Sequence, residues 1–146
     1  MKNKYLKGML TGIALGLSPI ILTSALELYI VIKSPIISTR KELEKILQEE
    51  KKILNMEHKK VSLSTISIGK VVLAASEKVS DKENEYLVSI PGPPYNLSNL
   101  RHELYHISDG HLDSPLMGLL YIHYYEPKTA IYTFKRQLED NSKSKI

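Results

Sequence analysis

A chain of 146 residues has room for one compact domain and little else. It contains no cysteine, which excludes a disulfide framework and any thiolate metal site, so a bound metal would have to be held by His and carboxylates. The net charge of +4 is mild, and Lys and Arg are interleaved with Glu, as in Lys41-Glu42-Leu43-Glu44-Lys45. That is not the one-sided basic face of a nucleic-acid binder, so no nucleic-acid partner is expected.

From the N-terminus, Met9 to Ile32 form an almost unbroken apolar run in which Glu27 is the only charge. About twenty apolar residues suffice to cross the hydrocarbon core as a helix. Gly12, Gly16 and Pro19 are tolerated in that setting. Lys2, Lys4 and Lys7 flank one end and Lys33 the other, where they can reach the headgroups. The expectation is an uncleaved membrane anchor over residues 1–35, a single pass with the lipid bilayer as its partner. A cleaved signal peptide ending near Thr23-Ser24-Ala25 is the alternative. It is disfavoured because the apolar run continues through Leu28-Tyr29-Ile30-Val31-Ile32. A buried helix of a soluble domain is a third option. Similar positive charge at both ends gives no orientation, so the side on which the rest of the chain lies stays open.

Residues 36–140 read as the domain proper. Ser38 or Thr39 suits a helix N-cap, with Glu42 at capping-box spacing from Thr39, and the helix is expected to run to about Lys59. Leu43, Ile46, Leu47 and Ile53/Leu54 make its apolar stripe, and Lys and Glu fill a solvated face. Val61 to Ile68 alternate as a strand, Gly69-Lys70 is a turn, Val71 to Val79 a second strand and Tyr86 to Ile90 a third. Pro91-Gly92-Pro93-Pro94 stops the third strand. A helix starting at Asn96 or Ser98 should end at Asp109-Gly110. Another follows from Leu116 to about Tyr125, and Pro127 suits the first turn of a last helix carrying Ala130, Ile131, Phe134 and Leu138. Residues 141–146 form a polar tail. The fold class expected is α+β: an N-terminal transmembrane helix, then a short sheet packed on helices.

The chemistry concentrates in His102-Glu103-Leu104-Tyr105-His106. Two histidines four apart on a helix stand one turn above the other, so both imidazoles can reach one metal ion. Glu103 beside them is placed to take a proton from a metal-bound water and pass it to a leaving amine. Leu100, Leu104 and Ile107 lie on the other side, so one face can pack while the opposite one meets the metal.

On these residues the chain resembles the zincin metallopeptidases, whose HExxH helix packs on a small sheet. The resemblance implies a Zn2+ cofactor, a peptide or protein substrate, and hydrolysis with Glu103 as the general base. Within the zincins the gluzincin group is the nearest in spacing, and it implies Glu126 as third ligand. Nineteen residues separate His106 from Glu126, and the small Ala130 follows one turn later. An acidic residue at position 130, present in thermolysin-like enzymes, is missing. The rival third ligand is His111, just past Gly110, which misses the metzincin spacing by one; His123 is another candidate. Each ligating His should give its other ring N–H to an oxygen, for which Asp109 and Asp113 are the nearest carboxylates. His123, Tyr124, Tyr125 and Tyr132 are candidate donors to a substrate oxyanion. The resemblance further implies substrate lying along an edge strand, for which Val71 to Ser76 is the candidate. The alternative function is a catalytically degenerate zinc-binding membrane protein with a regulatory or binding role.

Overall fold

The computed structural model describes residues 20–66, 74–79, 82–115 and 121–143. Helix α1 covers residues 20–33 and ends at Ser34-Pro35. A short strand β1 (Ile36–Ile37) leads to α2 (Arg40–Ile53). Thr39 caps α2, its hydroxyl accepting from the Glu42 amide at 3.2 Å. That satisfies one of the amides left free at a helix start. The helix stops at Ile53, six residues before the expected Lys59, because Leu54 leaves helical geometry and Asn55 takes a positive φ of 53°.

Strands β2 (Lys60–Ile66), β3 (Ala75–Lys78) and β4 (Glu85–Pro91) form one sheet in the order β2-β4-β3. Strand β4 lies in the centre, parallel to β2 and antiparallel to β3. Its alternation decides its two faces: Tyr86, Val88 and Ile90 are buried, and the residues between them are half-buried. Strand β5 (Tyr95–Asn96) pairs with β1 and feeds directly into α3 (Leu97–Ser108), which carries the two histidines and Glu103. Residues 121–125 form a π-helical turn rather than the regular helix expected there, and α4 (Glu126–Lys143) follows.

Helix α3 holds the molecule together. Leu100, Leu104 and Ile107 have no exposed surface and pack with Tyr86, Val88 and Ile90 of β4 and Leu43 and Leu47 of α2. Truncating any of the three to Ala would cost about 2–5 kcal/mol. The architecture is therefore mixed α and β, with the sheet and α2 on the packing side of α3 and α4 against it. No helix among the described residues is long and apolar enough to cross a membrane. The first part of the expected anchor, residues 1–19, lies outside the described residues, as do residues 67–68 of the first expected strand, the Gly69-Lys70 turn, residues 71–73, residues 116–120 of the expected helix before Tyr125 and residues 144–146 of the tail.

Candidate metal centre

The side of α3 opposite the core carries His102 and His106. Their Nε2 atoms are 3.1 Å apart. The Glu126 carboxylate, from the first turn of α4, faces both, with Oε2 at 3.2 Å from His102 Nε2 and Oε1 at 3.2 Å from His106 Nε2. A tetrahedral zinc with bonds of 2.0–2.1 Å separates its ligand atoms by about 3.3 Å. The three contacts match that edge length. These side chains form the group whose ligand atoms converge closely enough for one cation among the described residues. Two imidazoles and a carboxylate are also the donor chemistry of a catalytic zinc site. Glu126 Oε1 is buried and faces His106 Nε2 at 3.2 Å. Burial pushes the Glu126 carboxyl up, but His102, His106 and the Tyr121 phenol overcome it and hold the carboxyl well below the usual range. Glu126 is thus held as the carboxylate by the two imidazoles and the phenol.

The second nitrogen of His106 is also engaged. Gly110 takes φ 72° after the end of α3 and turns the chain back, which brings His111 against His106. No atom crowds the position a Cβ would occupy at Gly110, so it is the positive φ that requires glycine there. His106 Nδ1 and His111 Nδ1 are 2.8 Å apart, and His111 Nε2 faces Asp109 Oδ2 at 2.7 Å. Lys128 Nζ meets the same Asp109 oxygen at 2.6 Å. Burial and the neighbouring His106 push the His111 imidazole below its usual pKa, so it is neutral at pH 7. A neutral His111 that turns its Nε2–H toward Asp109 has a lone pair on Nδ1 to accept the His106 Nδ1–H. That tautomer leaves His106 Nε2 free for a metal.

Glu103 is 6 % exposed and points to the edge strand. The register explains why. Ser76 of β3 is paired with Val88, whose side chain faces α3, so Ser76 faces α3 too. Its hydroxyl donates to Glu103 Oε2 at 2.6 Å. Glu103 also lines a cavity of ≈190 Å³ together with His102, Glu126, Tyr121 and Glu27. Tyr121 stacks on the His106 ring, with centroids 5.6 Å apart and planes at 16°.

The structure thus brings His102, His106 and Glu126 together, sets Glu103 on the cavity that His102 and Glu126 line, and places His111 on the far nitrogen of His106 rather than among the converging atoms. Asp109 meets His111 rather than a ligand directly. Asp113 bonds Lys78 and Tyr86 and has no contact with His102 or His106. Of the tyrosines considered as donors, Tyr125 stacks on His111 and its hydroxyl donates to Ser114, Tyr124 lies exposed under Lys128, and Tyr132 stacks on Tyr105. The His123 side chain lies outside the described part of the structure. Sequence reasoning missed Tyr121, and it named Ser76 only as the end of the candidate edge strand, not as a partner of Glu103. It also missed Glu27 as a wall of this cavity, although a lone carboxylate in an apolar run was the available signal. No family model matches the chain, and no curated protein or solved structure matches it.

Proposed function

We propose that the protein is a membrane-anchored zinc metallopeptidase of zincin-like, gluzincin-like design. The observation that carries this reading is the convergence of His102 Nε2, His106 Nε2 and the Glu126 carboxylate at 3.1–3.2 Å, with Glu103 on the same cavity. His102, His106 and Glu126 would hold the zinc. Bound there, the metal would lower the pKa of a coordinated water toward neutrality and so supply a nucleophile at ordinary pH. Glu103 takes the proton at its carboxylate and returns it to the leaving amine. Ser76, bonded to Glu103 Oε2, orients that carboxylate and leaves Oε1 to work. Tyr121 is the phenol nearest the ligands and the candidate donor to the substrate oxygen. The edge position of β3 supports strand addition as the means of holding a peptide. Ile21, Leu22, Leu28, Tyr29 and Ile32 are exposed on α1, and this supports the membrane tether, because they continue the apolar run that precedes them.

One observation favours the second reading, a zinc-binding membrane protein with a regulatory or binding role and no turnover. The cavity of ≈190 Å³ is below the usual range for small-molecule sites, roughly 300–1,000 Å³.

Metal content and peptide cleavage test both. Protein purified without added metal should carry close to one zinc per chain. Glu103→Gln should keep the zinc and lose peptide cleavage by about 100-fold or more, and Glu126→Ala should lose zinc. Zinc without cleavage of a broad peptide library would select the second reading. Unchanged zinc affinity in Glu126→Ala would remove Glu126 from the ligand set.

A further inference from the structure

Helix α1 has two faces with different surroundings. Glu27, Ile30 and Val31 line the cavity that His102, Glu103 and Glu126 also line. Ile21, Leu22, Leu28, Tyr29 and Ile32 are 50–69 % exposed. The cavity also accounts for the one charge in the run from Met9 to Ile32, because Glu27 faces it. An ionisable residue in a membrane-seeking helix turns toward a polar cavity in this way. The helix is fixed in place at its end: Asn96 Nδ2 donates to the Val31 carbonyl at 2.9 Å, and the Ser98 amide donates to Ser34 Oγ at 2.8 Å.

The exposed apolar face does not stop with α1. Tyr29 meets Phe134 of α4 edge to face, with ring centroids 6.0 Å apart. Ile131, Phe134 and Leu138 follow one another at about one helical turn, so they share a side of α4. Ile131 and Leu138 are about half exposed. One apolar patch thus crosses both helices, as interaction surfaces do and scattered surface residues do not.

Two observations choose a lipid bilayer to cover it. Apolar residues 9–19 join α1 at residue 20, so the stretch that reads as an anchor leads straight into the patch. Lys33, one turn beyond Tyr29, and Lys135, one turn beyond Ile131, are exposed where their ammonium groups can meet anionic headgroups.

We infer that this face lies on a bilayer and that the substrate is a polypeptide held in the same bilayer, cut where it emerges at the surface. The inference rests on the membrane-anchored peptidase reading above. A helix with its side chains is about 10 Å across, so α1 resting on lipid sets the cavity roughly one helix above it. An emerging extended segment climbs that far in about three residues. Ile30 and Val31 of α1 and Ala74 before β3 offer its side chains apolar wall. Water adds across the peptide bond: its oxygen goes to the carbonyl carbon, one proton stays with the new carboxyl group and the other reaches the leaving amine through Glu103.

The chain has no tryptophan, so a single one reports its own surroundings. Full-length Leu138→Trp and His58→Trp are placed in vesicles of phosphatidylcholine and phosphatidylglycerol, with and without brominated acyl chains. His58 is exposed in the turn between α2 and β2, on the packing side of α3. Bromolipid should quench Leu138→Trp about twofold or more, since such a face sinks about 5–10 Å into the headgroup boundary, and should leave His58→Trp unchanged. Ile131→Trp replaces Leu138→Trp should that variant fail to fold. In a second arm, one quenched-fluorescent peptide library is offered in solution and, fused to a polyleucine span, in the vesicles. The zinc-loaded parent should cut the membrane-held form at least about tenfold faster. Glu at both 131 and 138 should keep the zinc and the rate in solution and lose most of that advantage. Absence of quenching at 138, or equal quenching at 58, would overturn the inference; emission at 138 that is shielded from bromine and changes with protein concentration would assign the face to a second copy of the chain instead. Equal rates on the two libraries would overturn the substrate assignment and leave the peptidase standing. Cleavage of neither would sink the peptidase reading and this substrate with it.

Discussion

At the scale of single residues, the proposed centre depends on which nitrogen of each imidazole carries the proton. His106 is only 1 % exposed, so water cannot settle its tautomer; its protein partner must. That partner is His111, a ring that must itself be oriented, and Asp109 does so with Lys128 fixing the carboxylate. Asp109 belongs to this chain of contacts without reaching the atoms that converge on the cation site. Asp109→Asn is therefore a clean probe. It keeps an acceptor oxygen near His111 but removes the charge that holds the ring's N–H. Zinc affinity should fall about tenfold, the low end for loss of a group that orients a ligand. His111→Ala should cost more, since His106 Nδ1–H then loses its acceptor. If a chelator competition finds Asp109→Asn within twofold of the parent, His106 is oriented by some other means. Tyr121 bears on the same ring by stacking, and its phenol is pushed above the normal tyrosine value by burial and by Glu126. It therefore stays protonated and able to donate.

At the scale of elements, a buried ionic network locks the helices that carry His102, His106 and Glu126. Glu50 of α2 is 2 % exposed, and its Oε1 takes contacts from Arg101 of α3 at 2.7 Å and Arg136 of α4 at 3.3 Å. Arg101 also reaches Asp140 of α4 at 2.6 Å. Removing one partner of such a set leaves the others charged and buried, which costs about 3–5 kcal/mol. Glu50→Ala should destabilise the fold by that order in denaturant unfolding and should loosen α4 against α3, with weaker zinc binding as a result. A loss under 1 kcal/mol would mean that the network adds nothing to the packing. The sequence pattern could not reveal this. The stripe of Leu43 and Leu47 marks the buried face of α2, and Glu50 reads as one more solvated charge, because its partner Arg101 is 51 residues away. What the sequence did carry was local. The Thr39 and Asn96 caps, the alternation of β4 and the four-residue spacing of His102 and His106 each follow from contacts within one element. The parallel pairing of β2 with β4, the short strand β1, and the meeting of Ser76 with Glu103 or Glu27 with Glu126 depend on the tertiary fold. Among the candidate ligands, the geometry sets Glu126 with the histidines; the sequence spacing favours Glu126 and keeps His111 and His123 as rivals.

At the scale of the whole molecule, Asp113 ties the edge of the sheet to the segment that returns from α3. It accepts from Lys78 of β3 at 2.6 Å and from the Tyr86 hydroxyl of β4 at 2.9 Å. Lys78 and Tyr86 are register partners, so both reach it from one face of the sheet. The Lys78 ammonium holds the Asp113 carboxyl below its usual value, with Tyr86 adding to the effect against the cost of burial. Burial and the hydrogen bond to Asp113 raise the Tyr86 phenol to about 12. The signs give a stability plateau with two edges. A depressed carboxylate contributes fully above its unfolded pKa of about 3.9, and the contribution fades as pH falls through the lower folded value. A raised phenol contributes fully below its unfolded pKa of about 10, and the contribution fades as pH rises toward 12. Stability measured in chelator, so that zinc linkage is absent, should therefore be flat between about pH 5 and 9 as far as this pair is concerned and fall on either side. Asp113→Asn should lower the plateau by about 1 kcal/mol, since the Lys78 contact is partly open to water. It should also flatten the acid edge. Tyr86→Phe should flatten the alkaline edge and leave the acid one largely in place. An acid limb of equal slope in Asp113→Asn and parent would assign acid sensitivity to other carboxylates and would leave Asp113 a local contact rather than the tie between sheet and α3.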